Sequence, residues 1–133
     1  MSYDSGEYQA GQEQAAQPFA AFSLADNPGL SVDPDDDDNP AGHAVLHSDA
    51  GIKVGFTVFN MGTAAGQATV DIYVDGTWVK NWTSSDIQPG LSEWTEVRGL
   101  GRYPKGGHDF EVFVSPGAGH HESLRNTEDI LDP

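Results

Sequence analysis

Between Gly51 and Gly76 two runs of alternating apolar residues are separated by Asn60-Met61-Gly62-Thr63, and the second closes on Asp75-Gly76. Successive side chains of a strand point to opposite faces, so Ile52, Val54, Phe56 and Val58 define one buried face and Val70, Ile72 and Val74 another. This pattern predicts an all-β fold, an antiparallel sandwich in which each sheet buries one face. Function in such a fold is carried by surface loops and edges.

The chain has 133 residues, enough for one domain, since about 100 suffice for a seven-stranded sandwich. It has no cysteine, which excludes a disulfide framework, a thiolate metal site and a cysteine nucleophile. The opening Met1-Ser2-Tyr3-Asp4-Ser5-Gly6-Glu7 has neither the basic start nor the apolar core of a signal peptide. No apolar run is long enough to span a bilayer, so membrane insertion is not expected.

Charge is uneven along the chain. Residues 1–50 hold ten of the 21 acidic side chains and none of the six Lys and Arg, so the halves carry −10 and −5 of the net −15. Such a field repels phosphate backbones and anionic lipid and argues against nucleic acid as a partner. It leaves solubility, cation binding, a basic partner surface and a high-salt habitat as explanations.

Composition divides the chain into three parts. Residues 1–18, rich in Gln, Ala and Gly, have too few large apolar groups to offset the entropy of ordering and are expected to be a flexible N-terminal arm. Residues 19–127 form the sandwich, and 128–133 are expected to be a C-terminal tail. Phe19 to Leu24 and Leu30 to Val32 supply a first strand interrupted by Asn27-Pro28-Gly29. Residues 33–40 form an exposed acidic loop, because adjacent like charges repel and Pro34 and Pro40 oppose regular structure. A further strand begins at Ala44 to His47. Strands follow near 52–59, 68–74, 77–83, 92–98 and 108–114, with turns at Asp75-Gly76, Pro89-Gly90 and Lys105-Gly106-Gly107.

The residues in this order resemble a known family, the CARDB domain, named for cell-adhesion-related domains in bacteria. The resemblance is carried by Val58-Phe59-Asn60-Met61-Gly62-Thr63-Ala64, Tyr73-Val74-Asp75-Gly76, Ile87-Gln88-Pro89-Gly90-Leu91-Ser92 and Gly106 to Pro116, and it covers roughly residues 51–127. Glu122-Ser123 with Asn126-Thr127 is similar to the family's closing segment, although it is one residue short and has His120 where an apolar residue is usual. The resemblance implies an immunoglobulin-like or fibronectin-like sandwich of about seven strands, acting as a spacer or adhesion module.

The turns have roles of their own. Asp75-Gly76 suits a two-residue hairpin needing positive φ at both positions. Asn60 is placed to bond its own backbone two residues on, and Gly62 to adopt a left-handed conformation.

Metal and catalytic readings are thin. Asp33, Asp35, Asp37 and Asn39 alternate as donors do in calcium loops, where the ion takes about six to eight oxygens. Yet Asp38 stands where a central Gly is expected and Ala44 where a bidentate Glu is. Weak calcium binding is thus one reading and a solvated charge run the other, and no cofactor is expected. Among His43, His47, His108, His120 and His121 there is no zinc spacing, and the last two point apart on a strand. Glu93 with Glu96 and Asp109 with Glu111 read as the solvent side of strands, so the chain is expected to be no enzyme.

The aromatic residues open a functional reading. By strict alternation Trp78 and Trp82 share a face, opposite Val79, and Trp94 lies opposite Val97. If Val79 and Val97 point inward, the three tryptophans form an exposed patch; if not, they are core. Phe59 and Phe113 pose the same question. Trp78, Trp82, Trp94, Phe59 and Phe113 are therefore the candidate partner-binding residues. The expected function is a non-enzymatic module docking on protein subunits of a larger assembly, such as an accessory or decoration subunit of a virion or similar particle, with homo-oligomerisation also open. A surface adhesion or carbohydrate-binding module and a weak calcium-binding domain are the alternatives. A virion or other particle surface is favoured over the cytoplasm as location.

Overall fold

The computed structural model describes residues 17–35 and 45–133. Among them are nine strands: β1 (Phe22–Leu24), β2 (Ser31–Pro34), β3 (Leu46–His47), β4 (Ile52–Asn60), β5 (Thr69–Val74), β6 (Thr77–Thr83), β7 (Ser92–Val97), β8 (Gly106–Ser115) and β9 (Ser123–Leu131). One sheet has the order β3-β9-β8-β5-β6. In the other, β1 and β2 pair with successive halves of one edge of β4, and β7 pairs with the opposite edge. The two sheets pack face to face as an all-β, immunoglobulin-like sandwich.

Alternation explains the core. Ile52, Val54, Phe56 and Val58 of β4 face Val70, Ile72 and Val74 of β5 and Phe110, Val112 and Val114 of β8, and all ten are buried. Each large apolar side chain so placed contributes about 1.5–3 kcal/mol, against about 1–2 kcal/mol for fixing the backbone of each residue. The inner half of every strand must therefore offset the ordering of both halves.

At the hairpin, Asp75 has φ 52° and Gly76 φ 80°, as the two-residue turn requires. Gly62 is different from expectation, because it does not adopt a positive φ. It is needed for close approach instead: a Cβ there would lie 2.7 Å from the Ala21 nitrogen and 2.9 Å from the Ala20 Cα, and closer still to the Phe19 oxygen. The turn is pressed flat against residues 19–21, with Met61 N donating to Ala21 O and Thr63 N to Phe19 O.

Asn60 holds that turn from beneath. Its side chain is fully buried, with Nδ2 donating to Ala64 O (2.9 Å) and Ile87 O (2.8 Å) and Oδ1 accepting from Gly62 N (2.8 Å). Its own N donates to Leu91 O and its O accepts from Gly90 N, so one residue ties the β4–β5 crossing to the β6–β7 crossing.

The C-terminal expectation needs correction. Residues 128–131 are not tail but the end of β9, which pairs antiparallel with β8 from Ser123 opposite Phe113 to Ile130 opposite Gly106. The strand was hard to read because its inner positions are Leu124, Asn126, Glu128 and Ile130, of which only two are apolar. Asn126 instead donates through Nδ2 to Leu30 O, just before β2 of the facing sheet (2.9 Å). Residues 1–16 of the expected arm, and residues 36–40 of the acidic loop, lie outside the described residues.

Replacing Asn60 with Ala would remove three side-chain hydrogen bonds, one buried and two part-buried, and leave Ala64 O and Gly62 N without the amide that serves them, so Asn60→Ala is expected to cost about 2–4 kcal/mol. Urea denaturation measures this, and an unchanged midpoint would show that the network is not made in solution.

Candidate functional site

The hairpin of β5 and β6 decides where the tryptophans go. Val70 pairs with Trp82 and Ile72 with Lys80, but Tyr73 pairs with Trp78, so β6 advances two residues where β5 advances one. Val79 is the extra residue of a β-bulge, and the bulge breaks the alternation between Trp78 and Trp82. The expectation that the two share a face is therefore corrected. Trp82 shares the inner face with Val70, and its ring meets Phe56 of the other sheet edge-on, centroids 5.5 Å apart at 79°. Trp78 shares the outer face with Tyr73 and is 49% exposed.

Three aromatic residues line the outer face of the five-stranded sheet. Trp78 on β6 stands beside Tyr73 on β5, and Tyr73 meets Phe113 on β8 edge-to-face at 5.4 Å and 84°. The indole N–H of Trp78 donates to Asp71 Oδ1 at 3.0 Å, which fixes the ring while leaving its face uncovered. Asp71 lies opposite both Asn81 and Phe113, and Glu111 lies opposite both Tyr73 and Arg125. Arg125 is turned to Asp109 (2.7 Å), which also accepts from Thr127 Oγ1 (2.6 Å). These bonds, that from Thr127 foremost, hold the Asp109 carboxyl below the usual carboxylate range.

Trp94 and Phe59 belong to the opposite side of the domain. Trp94 lies over Gly55, where a Cβ would come within 2.8 Å of its Cζ2, and it is 51% exposed. Phe59 sits between Ser23 and Ser92 on the same outer face, and Met61 beyond it accepts from Ser23 Oγ at 3.2 Å. The five candidate aromatics thus separate into an outer pair with Tyr73, a second outer pair with Met61, and Trp82, partly buried against the core. They form two patches facing away from each other. In the sequence Tyr73 stands out only as part of a turn motif, although its spacing from Asp71 places it outward.

The other candidates are structural in their contacts. Asp35 accepts from Gly99 N (3.1 Å) and lies 3.5 Å from the Arg98 guanidinium, so an internal cation already stands beside it. Asp33 is registered opposite Lys53 on β4. Asp37, Asn39 and His43 lie outside the described residues. Among the described residues no group of three or more His, Asp or Glu is arranged to hold a metal. His120 and His121 do not point apart as expected. They lie in a turn with His121 at φ 52°, and their rings meet edge-to-face at 5.4 Å.

His108 is the buried histidine of β8. Its Nδ1 lies 2.6 Å from Asp75 Oδ2 and its Nε2 2.7 Å from Pro104 O, so both nitrogens face acceptors, an arrangement that favours the imidazolium. The bond to Asp75 raises the His108 pKa, opposed by burial, and the same bond lowers that of Asp75. Asp75 therefore does more than turn the hairpin: it ties the turn to the 98–105 connection.

No family model matches the sequence, and no curated protein does. The fold, however, is that of CARDB domains. A CARDB domain from Pyrococcus furiosus, solved in complex with di-metal ions, superposes with a TM-score of 0.61 at 15% identity, covering 87% of this chain and 96% of that one. Beta-glucosidase 3B from Thermotoga neapolitana (TM-score 0.57, 16% identity) and a β-glucosidase from Erythrobacter marinus (0.57, 13%) match over 86% and 84% of this chain. In each of those enzymes the match spans only 16% of the enzyme chain. At these identities the likeness concerns the fold.

Two outcomes follow. Trp82→Ala is expected to destabilise the domain by about 3 kcal/mol or more, as core deletions do, and Trp78→Ala by less than about 1 kcal/mol; equal losses in denaturant unfolding would refute the bulge. For His108, a folded pKa raised above the ordinary 6.5 stabilises fully below that value and is lost as pH rises through the raised pKa. The lowered Asp75 contributes above about its ordinary 3.8 and is lost as pH falls through the depressed value. The pair therefore acts fully between these two ordinary values. The thermal midpoint should fall from mildly acidic to mildly alkaline pH, and His108→Gln should flatten that slope.

Proposed function

We propose that this chain is a non-enzymatic, adhesion-like contact module that docks on protein subunits of a larger assembly through the outer face of its five-stranded sheet. The observation that carries the reading is the ring cluster of Trp78, Tyr73 and Phe113, with Trp78 fixed by Asp71 while its face stays uncovered. Aromatic residues held rigid on an open surface are what interface anchors require, because little side-chain entropy remains to be lost on binding. Trp94, Phe59 and Met61 on the opposite side supply a second apolar patch, which suits a subunit held between neighbours. Decoration of a virion or similar particle is the finer form of this reading. The fold's occurrence as a small part of two β-glucosidases supports a role as an accessory module. It gives no ground for assigning this chain their chemistry.

The calcium alternative rests on the alternation of Asp33, Asp35, Asp37 and Asn39, and the Pyrococcus domain was solved with di-metal ions. In this chain Gly99 N donates to one oxygen of the Asp35 carboxylate and the Arg98 guanidinium stands 3.5 Å from the other, and docking is the better supported reading.

Size-exclusion chromatography with mass determination on protein from its native source tests the proposal. The chain is expected to elute in a species well above its own 14.2 kDa, and Trp78→Ala to shift it toward the free monomer. A native monomer, or association indifferent to Trp78, would overturn it.

A further inference from the structure

Resting on that docking surface, we infer that its partner is a basic protein segment, an extended stretch that lays an arginine side chain over Trp78. Three features of the outer face converge on this chemistry. The first is the aromatic surface: an indole face attracts a guanidinium through the ring quadrupole, and arginine stacks on it by its planar group. Trp78 is already oriented by its bond to Asp71, so its face is presented without reorganisation.

The second is charge. Asp71, Asp109 and Glu111 stand on the outer face beside the rings, against Arg125 among the described residues, and Arg125 is turned to Asp109 Oδ2 rather than to the rings. Carboxylates beside an aromatic surface accept the N–H groups of a guanidinium, and such charge-assisted bonds are about twice as strong as neutral ones. The chain's net charge of −15 adds long-range attraction for a cation and repulsion for an anion. A neutral sugar would gain nothing from the net charge. The edge-to-face ring of Phe113 against Tyr73, at 84°, also fails to extend the flat platform that a sugar would stack on.

The third is the edge. β6 is the outermost strand of its sheet among the described residues, and Trp78 lies on it. A segment added along an open strand edge pairs through its backbone and sends alternate side chains to the same outer face. An arginine at alternate positions of such a segment would therefore reach Trp78 and the carboxylates together. The bulge at Val79 limits this pairing to the part of β6 on either side of it.

The probe is a capped octapeptide alternating arginine and threonine, titrated into the whole chain at physiological ionic strength, where attraction to the overall charge is screened beyond about 8 Å. Tryptophan fluorescence and amide chemical shifts report binding. Saturable binding is expected, with shifts centred on β6 and β5. Trp78→Ala should weaken it by about tenfold, although it changes no charge. Glu111→Gln should weaken it less, and Trp94→Ala not at all.

Equal binding by wild type and Trp78→Ala would overturn the inference, since attraction to an acidic chain would then explain everything. So would binding of a neutral oligosaccharide such as cellohexaose at Trp78 in place of the peptide. If the peptide fails while native association still depends on Trp78, the partner chemistry is wrong and the docking face stands. If native association ignores Trp78, the docking face itself fails.

Discussion

Asn60 is the buried polar side chain on which the rest of the sandwich depends. It ends β4, and from that point the chain must leave one sheet, cross the top of the core and begin β5 in the other. Three side-chain hydrogen bonds and two backbone ones tie the crossing, the 87–91 segment and the strand end together. A slip of one residue in β4 would carry Ile52, Val54, Phe56 and Val58 to solvent, because the side-chain period of a strand is two. It would also bury an unsatisfied amide. Apolar pattern and hydrogen-bond satisfaction therefore select the same register, and agreement between levels of this kind is what lets a sequence specify one fold.

Much of this was legible in the residues. The inner faces of β4, β5 and β8 follow from alternation, the hairpin from Asp75-Gly76, and the interruption between β1 and β2 from Asn27-Pro28-Gly29. What escaped has physical causes. β9 is recruited by the exposed ladder of β8, and its inner positions include Asn126 and Glu128, so its own pattern is weak. The need for glycine at position 62 comes from backbone that is distant in sequence, residues 19–21, and no local pattern shows it. The partnership of His108 with Asp75 spans 33 residues and needs the hairpin and β8 in place before it exists.

The aromatic face shows the limit most clearly. Trp78 and Trp82 are separated by four positions, which in a regular strand means a shared face. One extra residue at Val79 sends Trp82 to Phe56 and leaves Trp78 outside with Tyr73. Bulges depend on how two strands pair and leave little mark on either alone. The consequence reaches function, because the bulge divides the tryptophans between the core and two outer patches. One of those patches is ringed by carboxylates in an acidic chain, which is why a cationic partner suits it.

The separation of the tryptophans is the central structural claim, and it is most directly measured by collisional quenching with acrylamide. Three variants, each keeping one of Trp78, Trp82 and Trp94 and carrying Phe at the other two positions, give each indole its own signal. Trp82 should be blue-shifted and shielded, while Trp78 and Trp94 should be red-shifted and readily quenched in the folded domain. If Trp78 and Trp82 were quenched alike, the bulge would be absent, and the contact face drawn from it would be contradicted.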